Sequence, residues 1–446
     1  MTSYAGFLAY RLKMQPEDFR VEELTHIRKV ESSRFRLYEL KKTSWNTVDA
    51  ILRISREANI SLKKFNYGGK KDRHATTKQF ITVEHPQDLS GDFGGYSLKA
   101  LGFAAEPMTP DFIRGNRFSI TVRNVLEREI RAIEGGFHRL ADLGFPNYFD
   151  DQRFGSFHPV VGFSFLSLYR DDPESALRFT LLSPFGGEKP HAKKRKKAIH
   201  DCWGNWNQCL EFAETRPEKA ILQELQKRKA IAGSADHKKI YLELLDRLPA
   251  EELSMGFSAL QSWIFNESLA RLLRQGDDLK TWSRPRQPAG LIKSVEIKTK
   301  TGDQCFPISL DSDILNSIRD AQCWLLGPRK GGQHQSSSPG SRNEREAALE
   351  QKSADLCRIL DQKKSEMLEI LEIPEERFSR SLLRNAFLKS HLRPLWCIPE
   401  DLEMGPFESD ELNSGKLKYS ISFVLPKGVY ATMAMKSMHL RLKGQK

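Results

Sequence analysis

The sequence predicts an α/β (α+β) fold, one sheet-and-helix domain interrupted by a mainly helical inserted domain. Three observations carry this. Apolar and polar residues alternate at both ends of the chain, in Phe118, Ile120 and Val122 and again in Tyr419, Ile421, Phe423 and Leu425. The middle, from residue 173, is charged and mostly helical in spacing. The strand-forming ends therefore read as one domain, 1–172 with 391–446, and 173–390 as a second domain inserted into it.

The elements follow in order. Phe19 and Val21, then Phe35 and Leu37, alternate as strands. Ser44–Ala58 has Val48, Ile51, Leu52 and Ile54 clustered on one side, with Ser44 or Asn46 as the cap of a helix. Phe80, Ile81 and Val83 form a strand, as do Phe118–Val122. Leu126, Ile130, Ile133, Phe137 and Leu140 recur at helical spacing, and Gly144 is a natural stop. Glu251–Arg274 reads as a long helix with Phe257, Leu260, Ile264 and Leu269 in the core. Gly327–Arg345, rich in Gly, Ser, Gln and Pro, reads as a loop. Tyr419–Leu425 is a strand, Pro426-Lys427-Gly428 a turn, and a helix starts at Ala431. No tandem repeat is present.

The 446 residues carry 70 Lys plus Arg against 58 Asp plus Glu, a net charge of +12. That balance favours a polyanionic partner, RNA or DNA before an anionic membrane. No apolar run is long enough for a membrane span, and Arg11, Lys13, Glu17 and Asp18 interrupt the start as a secretory signal would not. The six cysteines include no C-x-x-C pair, so zinc is not expected and reduced thiols in the cytoplasm are. The basic run Lys193, Lys194, Arg195, Lys196 and Lys197 reads as a solvated face or loop; RNA contact is preferred here to a nuclear address.

The most informative stretch is Gly68-Gly69-Lys70-Lys71-Asp72-Arg73-His74-Ala75-Thr76-Thr77-Lys78-Gln79. One carboxylate, Asp72, stands among four bases behind a glycine pair that permits a tight turn. Cations favour the ionised acid and attract phosphates, so Asp72 suits nucleophilic or basic chemistry on a nucleic acid. Other segments join it in order: Phe19-x-Val21-x-Glu23, Lys42-x-x-x-Asn46-Thr47, Gly115-Asn116-Arg117-Phe118, Asn147-Tyr148-Phe149 with Gln152-Arg153-Phe154-Gly155, Gln261–Asn266, and Leu425–Thr432.

This ordered set resembles the TruD-type pseudouridine synthases, from Phe19 to Thr432. The resemblance implies the pseudouridine synthase fold, a mixed, mainly antiparallel sheet flanked by helices, with an inserted, mainly helical TRUD domain. It also implies isomerisation of a uridine within RNA: the N1–C1′ bond breaks, the uracil turns and a C5–C1′ bond forms. No cofactor or metal is then required, because no net atoms or electrons are exchanged. The implied substrate is tRNA, at uridine 13 in bacterial members, while relatives modify other tRNA sites or messenger RNA. A monomer is expected. The catalytic aspartate falls on Asp72, with Lys71 and Arg73 expected to hold it ionised, and the active-site glutamate on Glu23. Phe149 matches the aromatic that stacks on the target base, and Asn147 the uracil edge or the Asp72 loop. Lys42, Lys70, Arg73, Lys78 and Arg153 are the expected RNA contacts; capping explains Asn46 and Thr47 equally well. Asp150 stands where the family usually has Gly, and would tolerate a positive φ there better than most residues. The competing readings are an RNA-binding or RNA-folding protein without catalysis and, more weakly, a DNA-acting glycosylase.

Overall fold

The computed structural model describes residues 3–4, 6–158, 162–182, 189–229, 237–274, 292–328, 344–378, 380–386 and 388–442. Contacts divide the chain into two compact units. One joins Ala5–Phe145 to Cys397–Lys446; the other joins Met1–Tyr4 to Pro146–Trp396. The expected borders near 173 and 390 thus differ from the contact borders. Residues 146–172 fall in the second unit because Phe163 and Phe165 pack on Trp263 and Phe257 of the helix Ala250–Arg274, with ring centroids 5.5 and 4.5 Å apart.

The first unit is built on one sheet. Its main strands are β1 (Phe19–Thr25), β2 (Phe35–Thr43), β3 (Thr76–Val83), β4 (Tyr96–Ala104), β5 (Ile113–Val125), β6 (Glu400–Met404) and β7 (Leu417–Pro426). They lie in the order β6-β7-β5-β1-β3-β2-β4. Only β1 and β3 of these run parallel, so the sheet is mixed and mainly antiparallel. Alternation sets the register: Phe118 of β5 faces Val21 on one side and Phe423 on the other, and Ile120 faces Phe19 and Ile421.

Helix α1 (Thr47–Glu57) lays Ala50, Ile51 and Ile54 on Tyr38, Leu40, Ile81, Val83 and Leu98, all buried. Burial of each large side chain contributes about 1.5–3 kcal/mol. Helix α2 (Ile130–Leu143) packs on the C-terminal helix Ala431–Met438, and Gly136 makes this possible: a Cβ there would lie 1.9 Å from the Met438 carbonyl oxygen. Gly144 ends α2 with φ 73°, a conformation that favours glycine.

The second unit is mostly helical but holds strands the periodicity did not disclose. Ile292–Thr299 pairs with Gly302–Leu310 and, in parallel, with Ser3–Tyr4. Val295 and Ile297 do alternate there, but the surrounding lysines mask the pattern. The run Lys193–Lys197 belongs to a helix, Pro190–Asp201, whose first residue is the proline that favours a helix start. Of the expected loop Gly327–Arg345, residues 329–343 lie outside the described residues. Two cysteines depart from the expectation of reduced thiols: Cys323 of the strand Gln322–Trp324 is joined by a disulfide to Cys357 of the helix Glu344–Ile370. Among the described residues no helix is long and apolar enough to cross a membrane.

Candidate active site

The loop between Tyr67 and β3 carries Asp72, and buried polar side chains from three elements fasten its backbone. Lys42, near the end of β2, donates from Nζ to the carbonyls of Asp72 (2.7 Å) and Lys71 (3.3 Å). Thr47, the first residue of α1, accepts from the Lys71 N–H (3.1 Å) and donates to Gln79 Oε1 (2.8 Å). Gln79 of β3 donates in turn to the Gly69 carbonyl (3.2 Å). Lys42, Thr47 and Gln79 are all almost fully buried. These partners satisfy loop groups that lie outside any helix or sheet ladder. Gly68 is favoured by space rather than by φ: a Cβ would sit 2.4 Å from Ile113 Cδ1, which would have to shift, and 3.1 Å from the Thr109 carbonyl oxygen, while Gly69 faces open space.

Asp72 itself is partly exposed. Its Oδ1 accepts from the His74 N–H at 3.1 Å, and its Oδ2 pairs with the ammonium of Lys13. Burial pushes the carboxyl up; the Lys13 hydrogen bond and charge, with the His74 N–H, outweigh that and hold it below the ordinary aspartate value. The Lys13 ammonium also lies 4.3 Å from the centroid of the Phe19 ring.

This corrects two expectations. Lys71 is not turned to Asp72: its Nζ meets buried Glu23 Oε2 at 2.7 Å and donates to Asn116 Oδ1 at 2.6 Å. Glu23 also accepts from the Phe80 N–H, so it ties β1 to β3 as well as orienting Lys71. The cation beside the carboxylate is Lys13, which sequence reasoning passed over. Lys42 likewise is only 1 % exposed and turned to loop carbonyls, not to solvent as a phosphate contact requires. Burial pushes its ammonium down to about 8, while the Asp72 charge resists and Lys71 assists.

The other expected RNA contacts divide. Lys70 and Arg73 are exposed on the loop. Lys78 pairs with Glu22 at 2.9 Å on the sheet face opposite Glu23, Lys42 and Gln79, since neighbours along a strand point to opposite faces. There Arg20, Glu22, Lys41, Thr43, Thr76 and Lys78 line most of a cavity of about 360 Å³.

Asn147, Phe149 and Arg153 belong to the second unit. Asn147 and Phe149 are buried at 1 % and 5 % exposure. Arg393 donates to the Asn147 side-chain oxygen (2.8 Å) and to the carbonyls of Asn147 (2.9 Å) and Tyr148 (3.3 Å), and its guanidinium lies 3.7 Å from the Phe149 ring centroid. Asn266 exchanges two 2.8 Å hydrogen bonds with the Phe149 backbone. Asn147 also donates to the Pro394 carbonyl. Arg153 donates to Ser262 Oγ at 3.2 Å and sits 5.7 Å from the Phe149 ring. Asp150 takes φ −82°, ordinary extended backbone, so no positive φ is at issue.

Among the described residues no group of three His, Cys, Asp or Glu converges to hold a metal. The arrangement offers one partly exposed, ionised carboxylate on a fixed loop with an ammonium against it. That group can attack an electrophilic carbon or remove a proton.

Comparison with known proteins bears on which. A family model described as tRNA pseudouridine synthase D (TruD) matches residues 2–438. The chain is 34 % identical over 441 residues to the tRNA pseudouridine synthase D of Leptospira interrogans, covering 98 % of each chain. It is 31 % identical over 439 residues to a probable tRNA pseudouridine synthase D of Methanocaldococcus jannaschii, covering 98 % of this chain and 93 % of that one. A crystal structure of the putative tRNA pseudouridine synthase D of Methanosarcina mazei superimposes with TM-score 0.65 at 24 % identity, over 98 % and 95 % of the two chains; at that identity the likeness speaks for the fold.

Proposed function

The chain belongs to the TruD family of tRNA pseudouridine synthases, and from that premise we propose that it converts uridine 13 of tRNA to pseudouridine through the carboxylate of Asp72. Membership makes it an isomerase that turns uridine into pseudouridine within tRNA. The assignment to Asp72 is supported by one observation: it is partly exposed and held ionised by Lys13 on a loop whose backbone is fastened by Lys42, Thr47 and Gln79; the choice of position 13 follows the resemblance to bacterial members alone. Asp72 attacks C1′, or removes a proton from the sugar on the way to a glycal, as the N1–C1′ bond breaks. The freed uracil turns and its C5 bonds to C1′ as the Asp72 O–C1′ bond breaks, or as the sugar regains its proton on the glycal route; C5 then loses its proton and N1 gains one, so atoms balance and the carboxylate is returned unchanged. Lys70 and Arg73 serve the flanking phosphates.

Asp72→Asn tests the assignment. Because Asn keeps an acceptor for the His74 N–H, the variant folds and binds tRNA but yields no pseudouridine in a single-turnover assay. An Asn variant as active as the wild type refutes the role. For the position, a tRNA transcript with cytidine in place of uridine 13 gives no product; undiminished pseudouridine formation on it refutes the site.

A further inference from the structure

Lys13 reaches Asp72 from an unusual backbone. Its φ is 59°, in the left-handed region where a residue with a Cβ is uncommon. Such a conformation costs of order 1–3 kcal/mol and persists only where its surroundings hold it. The surroundings here are specific. On the N-terminal side, the Arg11 N–H donates to the Arg123 carbonyl (2.9 Å) and the Arg123 N–H to the Arg11 carbonyl (3.0 Å). On the C-terminal side, Asp18 Oδ2 accepts from the Gln15 N–H at 2.9 Å and closes the turn after Lys13. The two sides meet in one ion pair, for Arg123 Nε lies 2.9 and 3.0 Å from the Asp18 oxygens.

This pair is built into the core. Arg123 and Asp18 are 4 % and 2 % exposed, and Arg123 is gripped further by Asp410 at 2.9 Å. Asp410 in turn accepts from the Asn124 N–H. A buried guanidinium with several carboxylates costs desolvation that an apolar cluster avoids, so such groups are poor devices for stability alone. They are good devices for fixing geometry. Neither residue touches Asp72, and every contact described lies within the first unit.

We propose that Asp18 and Arg123 are positioning residues, which clamp both ends of the turn 11–18 so that Lys13 stays in its left-handed conformation against Asp72. The consequence for chemistry rests on the reading of Asp72 as the catalytic carboxylate, but the clamp itself does not. Its effect is on the ionisation of Asp72: a loosened turn lets the ammonium withdraw, and the carboxyl moves toward its ordinary value.

The test reads that ionisation directly. Full-length protein carrying ¹³C at the aspartate carboxyls is titrated by NMR, with the Asp72 signal identified by its loss in Asp72→Asn. Lys13→Met moves the midpoint upward. Asp18→Ala and Arg123→Lys move it the same way by a smaller step, and Lys13→Met/Asp18→Ala moves it no further than Lys13→Met. Arg123→Lys keeps the charge but loses the fork, so it guards against loss of folding in Asp18→Ala; circular dichroism checks both. Midpoints equal to wild type in folded Asp18→Ala and Arg123→Lys, or a double variant displaced by the sum of both singles, overturn the clamp. Single-turnover rates across pH on the same variants separate the two readings. A clamp seen by NMR without a matching shift in the rate profile refutes catalysis by Asp72 and leaves the clamp standing.

Discussion

Acidification should strike the first unit at His439, before the carboxylates of its surface. The imidazole is fully buried, with Nε2 2.8 Å from the Tyr419 hydroxyl and Nδ1 2.8 Å from the Met435 carbonyl. A carbonyl can only accept, so Nδ1 carries the proton and Nε2 accepts from Tyr419 in the neutral ring. Burial pushes this group down from 6.5 to about 4, with the Met435 carbonyl resisting. The folded value lies below the unfolded one, so the unfolded chain takes up the proton first. Stability is therefore complete above pH of about 6.5 and drains away as pH falls toward 4. A gap of about 2.5 pH units at 1.36 kcal/mol each makes the loss about 3 kcal/mol. His439→Gln can still donate to Met435 and accept from Tyr419, but it does not titrate. Urea unfolding of both proteins at pH 7, 6, 5 and 4.5, with separate fits for two transitions, makes the comparison. The variant's deficit at pH 7 should shrink by about 3 kcal/mol toward pH 4. Parallel pH dependences would refute the reasoning. The effect reaches the site, because the His439 carbonyl accepts from the Leu8 N–H at 2.8 Å and Tyr10 stacks on the ring at 4.0 Å, three residues before Lys13.

Two further predictions concern cations with different tasks. Lys42→Met leaves the partly buried carbonyls of Lys71 and Asp72 without their ammonium donor, and should cost about 1–3 kcal/mol in thermal unfolding together with a larger fall in single-turnover rate than in tRNA affinity. On the helix Pro190–Asp201, Lys193, Lys194 and Lys197 are exposed on one side, while Arg195 turns inward to Glu214 and Glu218 at 2.9 Å each. Replacing the three lysines with Ala should flatten the slope of log affinity against log salt by about 2, and Arg195→Ala should lower stability without that flattening; filter binding at 50–200 mM salt reads both.

The sequence disclosed what periodicity can carry. The helix expected over Glu251–Arg274 runs from Ala250 to Arg274: Phe257, Leu260 and Ile264 share one apolar face, Leu269 lies on another, and all four are buried in a helix covered on most sides. Strand alternation at Phe118–Val122 and Tyr419–Leu425 was equally legible, since each column must meet the same core. What stayed hidden was long-range pairing. Lys13 lies 59 positions from Asp72, in a turn without periodicity, and Arg393 lies 246 from Asn147. The available signal was adjacency: Lys13 precedes the Phe19-x-Val21-x-Glu23 motif by one turn and one proline. The basic run left face and loop undecided because the helix's inward side is thin, with only Ile199 buried.

The bases on and under the Asp72 loop look interchangeable as written, yet burial separates them into two groups. Lys42 lies inside on loop carbonyls, and Lys71, its side chain mostly covered, meets Glu23, whose side chain has no solvent exposure. Lys70 and Arg73 lie outside. A buried ammonium cannot be lost cheaply, since Lys71→Met leaves Glu23 as an uncompensated internal charge at a cost of about 3–5 kcal/mol. Exposed bases are lost at little cost in stability and should show their effect in RNA affinity alone. The double variant Lys71→Met/Glu23→Leu distinguishes structure from chemistry. It removes both charges, so it should recover most of the stability lost in Lys71→Met when unfolding is measured in urea. If the Glu23–Lys71 pair only filled space, turnover would recover with it; if the pair sets the course of the Asp72 loop, turnover stays low in a protein that is again stable.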